Sequence, residues 1–200
     1  MSQIPQLMSG RVLEHGIALA VDHGGTSSSK MYVGGQANAD VAAGTVLTND
    51  TNETALASYT IPADTLVAGS TIRVRAAGLV VARASGDMTT QLKLDTSATA
   101  IGSAESIATS GAITVSTNDI YDFDTLIQVR TAGSSGTAVA ISDFTLNATS
   151  DAGVRSLKAS FTLDTTSKNV LQITGTQSAG ATGNQLRSDI FVVDIVNPST

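Results

Sequence analysis

Ile120-Tyr121-Asp122-Phe123-Asp124-Thr125-Leu126-Ile127-Gln128-Val129-Arg130 is the stretch whose period decides the fold. Tyr121, Phe123, Thr125, Ile127 and Val129 share one face, Asp122, Asp124, Gln128 and Arg130 share the other, and Leu126 is the exception. Successive side chains of an extended backbone leave opposite sides of it, so this alternation marks a half-buried strand. A helix would need apolar residues at every third or fourth position, and no segment sustains that period between a cap and a stop.

The same pattern recurs on either side. Ala55 to Ile61 reads as a strand closed by Pro62, which has no N–H to give to a ladder. In Thr71 to Ala76, Ile72, Val74 and Ala76 oppose Arg73 and Arg75. Gly78 then predicts a bulge or bend before Leu79 to Ala82. Thr90 to Asp95 alternates with Leu92 and Leu94 inward. After a turn at Gly133-Ser134-Ser135-Gly136, the apolar face switches from Val139 and Ile141 to Phe144 and Leu146, which predicts a bulge near Ser142-Asp143. Leu157, Ala159, Phe161 and Leu163 form the next inward face, and Val170 to Thr174 the next strand. In Leu186 to Val196, Phe191, Val193 and Ile195 lie on one face while Ile190 and Val192 make the other apolar too. Such a strand belongs in the middle of a sheet or against another subunit. About eight or more short strands separated by turns predict an all-β fold, an antiparallel jelly-roll β-sandwich.

Residues 1–50 read differently. Gly10, Gly16, Gly24-Gly25, Gly34-Gly35 and Gly44 separate short apolar pieces. Gly costs about 1 kcal/mol in a helix interior, so this stretch is expected to be an extended arm or a small β layer, with the sandwich in 51–200.

Composition removes several functions. The 200 residues include no Cys and two His, which excludes a disulfide framework, a thiolate or three-histidine zinc site and a cysteine nucleophile. A net charge of −6 argues against nucleic-acid binding, which needs a basic stripe to neutralise phosphates. Hydrophobic content of 42% is too high for a disordered chain. No apolar run approaches the roughly 20 residues of a membrane span, and Ile17 to Val21 is shorter than a signal-peptide core of about 7–15. The sequons at Asn49, Asn52 and Asn147 are then chance matches in a Thr-rich chain. Charged residues are only 14% and aromatics 4%, so Val, Ile, Leu and Thr must fill the core.

Candidate chemistry is sparse. Asp122 and Asp124 point the same way about 7 Å apart in a strand while Asp119 points oppositely, so a solvated face is favoured over a cation site. Ser27-Ser28-Ser29-Lys30 has Ser-x-x-Lys spacing but sits in a Gly-rich loop without the supporting elements of a serine acylase. His15, Asp22 and His23 lack a nucleophile motif and suit a surface or interface role. Arg73, Arg75 and Arg83 could grip an acidic ligand, but pairing with Asp122 or Asp124 on a neighbouring strand is the favoured reading.

Residues 56–78 read Leu-Ala-Ser-Tyr-Thr-Ile-Pro-Ala-Asp-Thr-Leu-Val-Ala-Gly-Ser-Thr-Ile-Arg-Val-Arg-Ala-Ala-Gly. This resembles a signature of tailed-bacteriophage virion proteins: a strand, Ile-Pro-Ala-x-Thr-Leu, a Gly turn, then Ile-Arg-Val-x-Ala-x-Gly. Thr-Thr-Gln-Leu-Lys-Leu (89–94) and Val-Asp-Ile-Val-Asn-Pro (193–198) are similar to the same group. The resemblance covers 54–147 and 186–198. It implies a tumour-necrosis-factor-like jelly roll that assembles as a homotrimer, as in capsid decoration proteins, spikes and fibre tips, and it brings no catalytic residues or cofactor. The expectation is a trimeric capsid decoration (cement) protein, made in a bacterial cytoplasm, that binds the outside of the shell and stabilises it. Its partners would be itself and the major capsid protein, with no nucleic acid and no membrane. Ile190, Val192 and Val196 are the expected trimer seam, and Ile4, Leu7, Met8, Val12 and Leu13 the expected capsid-anchoring side chains of the arm. The alternative is a receptor-binding tail-fibre or spike tip or a head-fibre protein, which would call for a shaft of heptads or β repeats. An enzyme is disfavoured because no acid pair or triad is legible.

Overall fold

A computed structural model describes residues 34–39, 44–81, 86–95, 101, 103–115, 118–147 and 152–196. The strands are β1 (Gly34–Ala39), β2 (Val46–Thr48), β3 (Thr54–Ile61), β4 (Thr71–Val81), β5 (Gly86–Asp95), β6 (Glu105–Thr109), β7 (Ile113–Val115), β8 (Asp119–Thr131), β9 (Thr137–Asn147), β10 (Ala152–Thr162), β11 (Asn169–Gln177), β12 (Gln185–Arg187) and β13 (Ile190–Val196). There is no helix among the described residues.

Two antiparallel sheets pack face to face around one core. The eight-stranded sheet runs β1-β13-β4-β8-β9-β10, with β12 on the edge of β4 and β2 on β12; the five-stranded sheet runs β3-β11-β5-β6, with β7 beside β5. Numbering β1, β3, β4, β5, β6, β8, β11 and β13 from 1 to 8 gives sheet orders 1-8-3-6 and 2-7-4-5. First pairs with last, second with seventh, third with sixth and fourth with fifth, which is a long hairpin rolled up: a jelly roll. The β9–β10 hairpin is an extension that lengthens one sheet past β8. Two strands of the sandwich, β1 and β2, come from the stretch 1–50, and the compact unit begins at Gly34.

The strand centred on Thr125 folds as it reads. Tyr121, Phe123, Thr125, Ile127 and Val129 of β8 are buried, and Leu126 points to solvent. The Ile-Pro-Ala-x-Thr-Leu segment carries the chain from the five-stranded sheet to the other. Ile61 is buried at the end of β3, the backbone N–H of Asp64 (φ 58°) donates to Thr165 O, and Gly69 (φ 89°) donates to Val129 O.

Three local expectations are corrected. Gly78 makes no bulge: β4 pairs with β8 in unbroken register from Thr71↔Gln128 to Val80↔Asp119. A Cβ at Gly78 would overlap the Arg187 carbonyl oxygen, so the glycine serves a close approach. There the chain steps from β12 to β13 along the same edge of β4. The bulge expected at Ser142-Asp143 is also absent, since Leu126↔Ile141 through Phe123↔Phe144 pair continuously. Ala138, Ala140, Ser142, Phe144 and Leu146 face inward and Ile141 outward. In β10 the register shifts between Lys158 and Phe161, so Leu157 faces out while Phe161 and Leu163 are buried.

The large side chains of β8 and β9 cluster at one end of the pair. Phe144 meets Phe123 edge-on at 5.7 Å and stacks with Tyr121 at 6.4 Å. At the other end of β9 the inward positions are small: Ala140 lies opposite Ile127, and Ala138 lies between Val129 and Phe161.

Burial pushes the Tyr121 phenol above its ordinary pKa of 10.0. Its hydroxyl lies beside Ser188 but makes no well-formed hydrogen bond among the described residues. The folded state therefore holds this proton more tightly than the unfolded chain, and the linked stability is present below pH 10 and falls as pH rises beyond it. Phenolate absorbance from Tyr121 is expected to rise together with the alkaline loss of circular dichroism, and Tyr121→Phe to move that transition to higher pH. Phenolate formation well before unfolding would contradict the burial.

Candidate interaction surface

Outward side chains of the eight-stranded sheet line up in rows because the pairing is in register. One row runs Val192↔Arg75↔Asp124↔Asp143↔Arg155 across β13, β4, β8, β9 and β10. The next runs Asp194↔Arg73↔Leu126↔Ile141↔Leu157. The charged groups satisfy one another by two-pronged contacts. Arg73 donates to Asp124 through Nε at 3.2 Å and Nη2 at 2.5 Å. Arg75 donates to Asp122 at 3.4 and 2.6 Å, and Arg155 to Asp143 at 2.7 and 2.9 Å. Each carboxylate raises the pKa of its guanidinium, mainly through the hydrogen bond. Exposed pairs of this kind add little to stability, so their importance lies in neutralising the face.

The pairing of Arg73 and Arg75 with Asp124 and Asp122 is the one expected from the sequence. Asp122 and Asp124 are both engaged by arginines, and Asp119 is buried on the opposite side. Among the described residues no cluster of His, Asp and Glu has metal-binding geometry.

Leu126 (45% exposed), Ile141 (41%) and Leu157 (67%) form a continuous apolar row between direct cross-strand neighbours. Half-buried Val139 lies two residues along β9 from Ile141 on the same side. A second apolar cluster lies past the charged band, where Ile190 (49%) pairs with Ala77 and Leu79 pairs with Ile120 (56%).

The expected seam residues have these places. Phe191, Val193 and Ile195 of β13 are buried; Ile190 is exposed, and Val192 and Val196 are half-buried on the outer side. β13 lies inside the sheet between β1 and β4. Ile4, Leu7, Met8, Val12 and Leu13, with His15, Asp22, His23, the Ser27–Lys30 tetrad and Arg83, lie outside the described residues. The Leu126–Ile141–Leu157 row does not stand out in the sequence, although Leu126 does, as the apolar exception on a polar face.

The outer side of the five-stranded sheet is built otherwise. Val170, Gln172 and Thr174 of β11 are buried there, together with Lys93 of β5. Lys93 Nζ donates to Glu53 Oε2 at 2.7 Å and to Ile101 O at 2.9 Å, and Thr174 Oγ1 donates to Glu53 Oε1 at 2.7 Å. One carboxylate thus ties the approach to β3 to the two central strands.

Comparisons of the chain with family models, with curated proteins and with solved structures gave no match.

Proposed function

We propose that this chain is a virion structural protein, a trimeric decoration (cement) subunit that binds the outside of a tailed-phage capsid and stabilises it. Support comes from jelly-roll connectivity, from the seat of the 56–78 signature at the crossover between sheets, and from the outer face of the larger sheet. That face carries the reading: three Arg–Asp pairs neutralise one another within the chain, and large aliphatic side chains are left in water between them. Solvent-exposed aliphatics grouped on one sheet mark a surface made for contact. The trimer seam runs along Ile190, Val192 and Val196, and the arm residues Ile4, Leu7, Met8, Val12 and Leu13 reach the major capsid protein. The role is structural, without a cofactor.

Deleting residues 2–33 keeps β1 in place. The truncated protein is expected to keep its native oligomeric state but to lose binding to shells stripped of the protein; undiminished binding would refute the anchoring role. Val192→Asp is expected to dissociate the trimer, because a buried unpaired charge costs several kcal/mol. Copy number separates this role from a fibre tip: hundreds of copies on the head support decoration, and a few at the tail overturn it.

A further inference from the structure

We propose that the Leu126–Ile141–Leu157 row is a second self-contact, in which two copies meet across a two-fold axis nearly parallel to β9. It is separate from the β13 seam, from which β9 is three strands away. Register supplies the geometry. Turning one copy over about β9 exchanges the positions of β8 and β10 and leaves β9 on the axis. Leu126 of each copy then faces Leu157 of the other, and Ile141 faces Ile141. In the adjoining row, Asp124↔Asp143↔Arg155, the same operation sets Asp124 of each copy against Arg155 of the other, and the two Asp143 carboxylates, each held by its own Arg155, meet on the axis. The apolar row and the flanking charges of the adjoining row, Asp124 and Arg155, are complementary to themselves under one operator, which is what a two-fold contact requires. An axis running across the strands would instead set Asp124 against Gln128 and forfeit the charge match.

Electrostatics also favours a second copy over an acidic or basic partner. Arg73, Arg75, Arg130 and Arg155 balance Asp122, Asp124, Asp143 and Asp194 on this face, within a chain of net charge −6. Copies that repel elsewhere can approach here. Strand directions in such a pair stay aligned, the ordinary arrangement for stacked sheets about 10 Å apart. Three strands of about 11 residues cover roughly 14 by 37 Å, so the pair buries on the order of 1,000 Å² in total, the low end of specific interfaces. The contact is therefore transient in dilute solution and fills when subunits are crowded on a surface. Three-fold seams joined by two-fold contacts form a net, the arrangement that covers a shell.

The chain has no cysteine, so single introduced thiols report the contact cleanly. Ile141→Cys is expected to give a disulfide-linked dimer on mild oxidation at high protein concentration. Leu126→Cys mixed with Leu157→Cys should cross-link as a hetero-pair in excess of either variant alone, and Ser58→Cys, on the other sheet, should not cross-link. Adding Leu157→Asp to Ile141→Cys should abolish the dimer with unchanged circular dichroism. Trimers of the Ile141→Cys variant that fail to cross-link would overturn the two-fold contact while leaving the β13 seam standing. Self-links of Leu126→Cys or of Leu157→Cys exceeding the hetero-pair would overturn the axis.

Discussion

Replacing Glu53 with Gln is expected to lower stability by about 3 kcal/mol, near the bottom of the roughly 3–5 found when a buried pair loses one partner. Lys93 is the reason. Its side chain is 8% exposed, and its ammonium has the Glu53 carboxylate at 2.7 Å and one carbonyl as partners. A neutral amide leaves a cation among buried strands without its counter-charge. Glu53 itself is 23% exposed, so water relieves part of the cost and the lower figure applies. In a domain of this size each kcal/mol lowers the melting temperature by about 2–4 °C, so a fall of roughly 6–12 °C should be seen by calorimetry. Adding Lys93→Met should recover most of the loss, because the pair can be replaced by apolar packing. A single variant that melts like the parent would mean that water reaches the ammonium freely. Thr174→Val tests the other arm of the same carboxylate and should cost less, about 1 kcal/mol for one hydrogen bond.

Gly78→Ala is expected to cost about 3 kcal/mol, the upper end for overpacking. The added Cβ would overlap Arg187 O and lie 2.9 Å from Arg187 C and 3.0 Å from Ser188 Cα. All three are backbone atoms, so no side chain can swing aside. The chain there is also held from both sides, with Asp189 N donating to Ala77 O at 2.8 Å and Gly44 N to Ser188 O at 2.7 Å. Relief must come from parting β12 and β13 from β4, and β13 carries Ile190, Val192 and Val196. The substitution should therefore weaken self-association as well as folding. Gly153→Ala is the matched control: its Cβ would meet only Phe144 O at 3.7 Å, and the change should stay within about 0.5 kcal/mol. Equal denaturation midpoints for the two variants would rule out the close approach at Gly78.

The sandwich was legible in the sequence wherever large apolar residues alternated with charges, as in β4 and β8. The Arg–Asp pairing was legible for the same reason, since four charges on adjacent strands of one face have each other within reach. Legibility ended where inward positions were filled by small residues. Ala138, Ala140 and Ser142 lie inward opposite Val129, Ile127 and Thr125, so the larger Ile141 is the outward one, and size alone assigns β9 the wrong side. A register shift within β10 hid Leu157 in the same way. Those two reversals concealed the apolar row, which needs Ile141 and Leu157 outward to exist. Gly78 shows a different limit: a glycine in a strand signals either a bulge or a close backbone approach, and only tertiary structure decides between them. The Glu53–Lys93 tie joins residues forty positions apart in two segments that are not neighbours, which no local pattern encodes.

The central claim is that this jelly roll works as an assembled subunit. Multi-angle light scattering of the purified protein tests it most directly. The expected result is a native mass of three times the 20.3 kDa chain, falling to one chain in Val192→Asp. A single-chain mass for the unaltered protein at every concentration would contradict it.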